Sequence, residues 1–304
     1  MNILTNIFII IFMGLFLGCS AKPYIKETKL LMGTLIEITC QDKEAIKEAF
    51  KEIERLENLL SKFNPKSEIS TLNKQKELLA SETTCDIIKK AIYYSEISGG
   101  AFDISIAPLS DIWKKAISEK SLPKHEIVLE KLNNIGNDKI IIKECFITLK
   151  NNASLDLGGI AKGYAVDKAI KKIRDMGIES AMVNAGGNIY CLGKKQNKKW
   201  KIGIQDPRNP NRITNKIELE NQAVATSGDY EQYFEVENKR YSHIINPKTG
   251  YPVNNGIISV TVIANDATTA DILSTSCFVL GEENSKKLIN NFPGAAIVNI
   301  VKNE

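Results

Sequence analysis

Four segments in the C-terminal half of this 304-residue chain carry the side chains best suited to chemistry. They are residues 155–167, 183–189, 241–250 and 270–276, and each contains glycine or aspartate. Glycine turns at helix starts bind phosphates, and a histidine in the third segment could move a proton. In this order and spacing, the four segments predict a site that handles phosphate groups.

Asp271 and Thr275 could hold a metal ion. They lie four residues apart in the predicted helix 267–280, so both side chains project from one face. A carboxylate and a hydroxyl suit Mg²⁺, which takes few protein oxygens and completes its shell with water and substrate phosphates. Taken alone, the pair is more often a helix-capping aspartate and a buried threonine bonded to its own backbone.

Gly158 and Gly159 allow a tight turn before a helix that starts near Ile160. A pyrophosphate could bind the N–H groups at that helix start. The segment is not a Walker A loop, because Tyr164 stands where that motif needs lysine. On its own, it is more often a plain strand–turn–helix corner.

His243 is flanked by Ser242 and two isoleucines and precedes the turn sequence NPKTG at 246–250. A lone histidine on an apolar strand is more often a satisfied core residue. Its position beside a loop favours a function, because binding residues concentrate on loops held by a scaffold. The other histidine, His125, is predicted to lie on the surface.

The N-terminus indicates export. Residues 3–17 form an uncharged apolar run that is too short to span a bilayer and fits a secretory signal. The following Leu17-Gly18-Cys19 resembles a bacterial lipobox, in which Cys19 is lipidated, although Phe16 and the absence of an earlier basic residue depart from the pattern. We predict a signal peptide at 1–18, a tether at 19–28 and one domain at 29–304. A plain N-terminal anchor with a buried cysteine is the alternative.

Composition excludes several functions. The net charge is +4, and basic runs such as 194–199 have no interleaved aromatic residues, so no nucleic-acid interface is indicated. Five cysteines follow Cys19 without a CxxC pair, which argues against a zinc or redox motif. They are predicted to be small buried side chains, with one disulfide left open for an exported protein.

The hydrophobic pattern predicts an α+β fold with a mostly antiparallel sheet and packed helices, because strands and helices do not alternate regularly. Residues 110–137 read as an irregular, polar insertion or small subdomain, and 101–108 as strand or loop. Predicted strands are 30–39 with a break at 32–34, 139–142, 146–149, 180–183, 200–204, 222–226 and 256–263. Predicted helices are 43–63, 85–98, 160–176, 267–280 and 284–291.

Together these segments resemble the ApbE family of FAD:protein FMN transferases over nearly the whole chain after Cys19. Members of that family are usually bacterial lipoproteins, in agreement with the lipobox. The matching segments, in the family's order, are MGT (32–34), SKFNPKSEIS (61–70), GAFD (100–103), DLGGIAKGY (156–164), NAGG (184–187), ATSG (225–228), HIINPKTG (243–250) and Ala270-Asp271 through Thr275.

The resemblance implies an activity. The family cleaves FAD at its pyrophosphate with Mg²⁺, joins FMN by a phosphoester to a Thr or Ser of a partner protein, and releases AMP. Asp271 and Thr275 would then hold Mg²⁺ together with the backbone carbonyl of Ala161. His243 would take the proton from the acceptor hydroxyl, which makes His243 and Asp271 the implied catalytic residues.

The resemblance also implies the FAD contacts. Phe63 stands where many members carry Tyr, which keeps ring stacking but loses a hydroxyl hydrogen bond. The residues along the flavin and adenine would be Met32, Phe63, Ala101, Phe102 and Asp103. Those lining the rest of the dinucleotide would be Gly158, Lys162, Tyr164, His243, Ile245 and Ser274.

The implied acceptors are exported-side subunits of the Na⁺-translocating NADH:quinone reductase or the Rnf complex, or other flavin-bearing extracytoplasmic proteins. The chain would be a lipoprotein anchored in the membrane and facing the periplasm. Two other functions stay open from the residues alone. One is a Mg²⁺-dependent FAD pyrophosphatase that yields FMN and AMP, and the other is a flavin-binding lipoprotein without catalysis.

Overall fold

A computed structural model describes residues 22–231, 233–236 and 239–303. The strands are β1 (Ile25–Leu31), β2 (Thr34–Cys40), β3 (Glu77–Leu79), β4 (Ile140–Lys143), β5 (Phe146–Leu149), β6 (Ala181–Ala185), β7 (Asn188–Leu192), β8 (Trp200–Gln205), β9 (Ile213–Leu219), β10 (Gln222–Gly228), β11 (Tyr233–Val236), β12 (Lys239–Ser242), β13 (Ile257–Ala264) and β14 (Ala296–Lys302). The helices are α1 (Lys43–Leu60), α2 (Glu68–Gln75), α3 (Glu82–Ile97), α4 (Ala107–Glu119), α5 (His125–Leu132), α6 (Ala161–Asp175), α7 (Ala267–Leu280) and α8 (Glu282–Ile289).

A seven-stranded sheet forms the centre of the fold, in the order β1-β2-β6-β7-β10-β13-β14. Every neighbouring pair in it is antiparallel. Smaller sheets are β3-β5-β4, β8-β9 and β11-β12. The predicted α+β class with an antiparallel core is confirmed.

The predicted break at 32–34 is the tip of a hairpin that joins β1 to β2. Met32 and Gly33 both have positive φ angles, 53° and 72°. Such angles at both central positions suit the right-handed twist of paired strands. The predicted strand 30–39 is therefore the end of one strand and most of the next.

Helix α7 is the most buried helix of the fold. Its sequence is apolar or small on all sides, as expected of a helix surrounded by protein. It packs on β10, β13 and α6. Its N-terminal N–H groups are capped by two carboxylates, Asp266 and Asp167. The bounds of α7, Ala267–Leu280, are those predicted from the sequence.

Residues 110–137, predicted as an irregular, polar insertion or a small subdomain, are largely helical, because they contain most of α4 and all of α5. The two helices have a small core of their own that contains Leu109, Trp113 and Val128. The sequence does not reveal this small core, because α5 has only 8 residues and Pro123 between the helices suggests a break in structure. Helix α1 also ends earlier than predicted, at Leu60, where the Ser67 hydroxyl donates to the carbonyl of Ser61.

One disulfide joins Cys85, in the first turn of α3, to Cys145 in the β4–β5 turn, with Cα atoms 5.5 Å apart. These two cysteines form the one disulfide that the sequence left open and are not the buried thiols it favoured. The prediction of buried thiols is confirmed for Cys40, Cys191 and Cys277, which are buried and unpaired. A separation of 60 residues leaves no local sign of the pairing in the sequence.

Residues 1–21, which include the predicted signal peptide and Cys19, lie outside the described residues. Strand β1 begins at Ile25, so residues 25–28 of the predicted tether belong to the sheet. Within the described part of the chain, no helix has the length and apolarity needed to cross a membrane.

Candidate functional site

Asp271 lies at the contact between α6 and α7 and is only 4% exposed. Its Oδ2 accepts a hydrogen bond from the backbone N–H of Gly163 at 2.9 Å, and the Asn188 side chain also bonds the carboxylate. The two helices can approach so closely because Gly163 has no side chain. A Cβ there would lie 2.3 Å from the carbonyl oxygen of Ala267.

The electrostatics of Asp271 suit a cation ligand. Burial raises the pKa of its carboxyl group, while the Lys162 ammonium and the two hydrogen bonds act in the opposite direction. A buried carboxylate costs free energy unless a positive charge accompanies it. A bound cation would supply that charge.

Thr275 lies one turn further along α7. Its hydroxyl oxygen is 3.2 Å from the carbonyl oxygen of Asp271 and 3.1 Å from Oγ of Ser227 on β10. Ser274, predicted to contact the dinucleotide, is fully buried, and its hydroxyl donates to the same Asp271 carbonyl at 2.9 Å. Ser274 therefore contributes to the support of the site from within the helix.

The glycine turn before α6 lies next to Thr275. A Cβ on Gly159 would be 3.8 Å from Thr275 Oγ1 and 3.0 Å from the ring of Phe102. Gly163 is the third residue of α6, so its N–H has no partner within the helix. The Asp271 carboxylate supplies that partner.

The donor set fits magnesium. Among the described residues there is no group of three or more His, Cys, Asp or Glu side chains that could hold a metal. The oxygen donors on this part of α7 are the Asp271 carboxylate and, one turn away, the Thr275 hydroxyl beside the glycine turn. Mg²⁺ is commonly held by a few such hard oxygens, with substrate phosphates and water as its other ligands.

Asp156 orders the glycine turn. It forms an ion pair with Lys62 at 2.9 Å and accepts hydrogen bonds from the N–H of Gly158 and the hydroxyl of Ser110, both at 2.9 Å. Burial raises its pKa, but Lys62 and these bonds more than compensate and leave the pKa below its usual value. Asp156 therefore stays charged and fixes the turn that carries Gly158.

Met32 and Phe63 lie close to helix α1, one at the hairpin tip and one after the helix end. The N–H of Met32 donates to Glu57 of α1 at 2.8 Å, which holds the hairpin tip against that helix. Phe63, just after α1, is 67% exposed, and the ammonium groups of Lys62 and Lys114 lie 5.2 and 4.1 Å from its ring centre. An exposed aromatic ring of this kind is available for stacking on a planar ligand.

The segment 101–103 lies beside the glycine turn. Ala101 and Phe102 are buried, and the Phe102 ring touches the Gly159 position. The Asp103 carboxylate accepts from the N–H and the hydroxyl of Ser105 at 2.8 and 2.6 Å. Burial raises the pKa of Asp103. Asp103 thus bonds within its own turn.

Tyr164 was predicted to line the dinucleotide. The structure places it in the core, 2% exposed, with its hydroxyl donating to Asp86 of α3 at 2.9 Å. Burial raises the pKa of this hydroxyl. Gly163 and Tyr164 therefore join α6 to two different helices, α7 and α3.

His243 follows β12 and begins the loop that ends at Gly250. Ile245 is buried in the small core of α4 and α5, so it anchors this loop. The Gly250 carbonyl accepts from the Trp113 indole at 2.8 Å. On the same loop, Lys248 lies 3.9 Å from the Cβ position of Gly100, next to segment 101–103.

Several supporting residues have no role in the sequence analysis: Asp156, Lys62, Gly163, Asn188 and Ser227. Ser227 lies inside the quoted motif ATSG, and Asn188 directly follows NAGG. Their position in or beside a quoted motif was thus the available signal for these residues. The groups that they contact lie in other elements, and spacing along the sequence does not reveal such contacts.

Comparison with known proteins identifies the family. The model of the ApbE family matches residues 32–298. The FAD:protein FMN transferase of Treponema pallidum is 29% identical, over 91% of this chain and 85% of that protein. That of Haemophilus influenzae is 33% identical, over 85% of this chain and 83% of that protein. The crystal structure of the ApbE protein from Thermotoga maritima has a TM-score of 0.84 and 34% identity, and covers 93% of this chain and 97% of that one. The chain belongs to the ApbE family.

Proposed function

We propose that this protein is an FAD:protein FMN transferase, which moves FMN from FAD to a Thr or Ser hydroxyl of an exported acceptor. The acceptor oxygen forms a phosphoester with FMN while the pyrophosphate bond breaks and AMP leaves. The names of the relatives support this activity. The observation that carries it is the buried Asp271 carboxylate beside Thr275 and the Gly158–Gly159 turn.

The metal would be Mg²⁺, held by Asp271, Thr275 and a backbone carbonyl. That carbonyl would be the one of Ala161, the first residue of α6, two residues before the Gly163 N–H that donates to Asp271. When bound, the ion would neutralise charge that develops on the pyrophosphate oxygens.

The protein's own residues would bind and orient FAD. Lys162 lies close enough to Asp271 to affect its pKa, so its ammonium can also meet a pyrophosphate near that carboxylate. Gly158 lets the substrate approach the backbone of the turn. Phe63 and Met32, on the open side, would contact the flavin ring.

His243 would accept the proton of the acceptor hydroxyl as that oxygen bonds to the FMN phosphorus. It stands at the start of a loop that α4 holds in place through Trp113 and Gly250. A general base needs hydrogen-bonding reach before its pKa matters. The fixed loop supports this role.

We further propose that Cys19 is lipidated and anchors the protein in the membrane, facing the periplasm. Acceptors would be exported-side subunits of the Na⁺-translocating NADH:quinone reductase or the Rnf complex. The apolar run before Cys19 supports export. The Cys85–Cys145 disulfide also suits an oxidising compartment.

The test combines the chain lacking residues 1–19 with FAD, Mg²⁺ and a candidate acceptor domain. Intact mass and in-gel flavin fluorescence are followed with and without EDTA. We expect the acceptor to gain the mass of FMN less one water only when Mg²⁺ is present. The adduct should disappear with Asp271→Ala and fall sharply with His243→Ala.

His125→Ala is the matched control, since His125 is the chain's only other histidine and is exposed. Its side chain contacts the Tyr251 hydroxyl and none of the proposed metal residues, so transfer should be unchanged. Release of FMN and AMP without an adduct would instead identify a pyrophosphatase. Intact bound FAD would identify a binding protein.

A further inference from the structure

Three hydroxyl groups form a continuous chain behind the proposed metal site. Thr275 Oγ1 lies 3.1 Å from Ser227 Oγ, and Ser227 Oγ lies 2.9 Å from Ser274 Oγ. Ser274 Oγ then donates to the carbonyl of Asp271 at 2.9 Å. The chain thus runs from one proposed metal ligand to the backbone of the other.

The direction of the hydrogen bonds decides how many lone pairs Thr275 offers to a cation. A hydroxyl has one proton and two lone pairs, and a cation needs a lone pair. If Ser227 donates to Thr275, it occupies one of the two and leaves a single lone pair for the metal. If Thr275 donates to Ser227, both of its lone pairs stay available.

In one arrangement, Thr275 donates to Ser227, Ser227 donates to Ser274, and Ser274 donates to the Asp271 carbonyl, so that every hydroxyl donates one bond. Thr275 has an alternative acceptor in that carbonyl, at 3.2 Å against 3.1 Å to Ser227. A cation in front of Thr275 favours the arrangement that points its proton backwards.

We infer that Ser227 is a positioning residue, which accepts the proton of Thr275 and so presents the Thr275 oxygen to the metal. This inference rests on the proposed metal site. It gives a role to the ATSG motif, which the proposed reaction otherwise leaves unused. Groups that orient a metal ligand in this way commonly change metal affinity by about 10- to 100-fold.

The packing keeps Ser227 in place. Ser227 and Ser274 are 8% and 0% exposed, and β10 packs directly on α7. The neighbouring residue Thr226 directs its hydroxyl elsewhere, to Thr261 of β13 at 2.8 Å. Ser227 and Thr226 therefore form a matched pair of adjacent hydroxyls, only one of which supports the site.

The experiment measures Mn²⁺ binding to the protein by the loss of the free-ion EPR signal. Mn²⁺ takes the same octahedral oxygen ligands as Mg²⁺. We expect Ser227→Ala to raise the dissociation constant about tenfold, with Thr226→Val unchanged. Ser227→Thr keeps the hydroxyl and should restore most of the affinity, which a purely structural role in packing would not predict.

Asp271→Ala provides the reference for loss of the site. If it abolishes binding while Ser227→Ala binds as wild type, the inference is overturned and the metal site stands. If wild type and Asp271→Ala bind Mn²⁺ equally, the metal site and the inference both fail. Should Ser227→Ala prove unfolded, Ser227→Cys replaces it, because a thiol is a poor acceptor of similar size.

Discussion

Gly163 shows how one missing side chain can place a proposed metal ligand. Its N–H meets the Asp271 carboxylate only because the backbones of α6 and α7 touch at this point. Helix propensity alone would favour Ala over Gly by about 1 kcal/mol. The contact between the helices favours Gly over Ala, since a Cβ would lie 2.3 Å from the Ala267 carbonyl oxygen.

We expect Gly163→Ala to lower the free energy of unfolding by about 1–3 kcal/mol, the usual cost of overpacking. It should also weaken metal binding, because the helices must separate at Asp271. Urea unfolding and a Mn²⁺ titration measure the two effects. Lys172→Ala, an exposed change on the same helix, should affect neither, and equal behaviour of both variants would contradict the argument.

At the scale of elements, Asp167 of α6 holds the start of α7. Its carboxylate accepts from the N–H groups of Ala267 and Thr268 at 2.7 and 2.9 Å. Burial outweighs these bonds and raises the pKa of Asp167 to about 6. Folded protein therefore binds a proton here more tightly than unfolded protein does.

The sign of the pH dependence follows from that pKa. Between about pH 4 and pH 6 the folded state carries more of this proton, so the contribution of Asp167 to stability falls as pH rises. Asp167→Asn removes this contribution's pH dependence. Urea unfolding of both proteins from pH 4 to pH 7 measures the difference in free energy of unfolding between wild type and variant. That difference should change by at most about 3 kcal/mol over this range. A constant difference would rule out the raised pKa.

Some elements were predictable and others were not, for physical reasons. The bounds of α7 follow from an unbroken apolar run between Asp266 and Gly281, both of which mark helix ends. The antiparallel sheet follows from irregular strand order. The contact of Ser227 with Thr275 links residues 48 apart, and the local pattern contains no information about such a contact. The local pattern around Pro123 likewise does not reveal that α4 and α5 pack together.

For the whole molecule, the Cys85–Cys145 disulfide closes a loop of 60 residues that joins α3 to the β4–β5 turn. A loop of that length should contribute about 4 kcal/mol by restricting the unfolded chain. We expect dithiothreitol to lower the urea midpoint of the wild type. The double variant Cys85→Ala/Cys145→Ala should be insensitive to it, and an unchanged wild-type midpoint would contradict the prediction.

The way the chain enters β1 sets how far the domain can move from an anchor. The Lys22 carbonyl accepts from the Gln41 side chain at 2.7 Å, and the Tyr24 ring packs edge-on against Trp200. Only three residue steps separate Lys22 from Cys19, a span of at most about 11 Å. With a lipid on Cys19, the domain would be held at the bilayer surface. It could then modify only those acceptors that present their hydroxyl within reach of that surface layer.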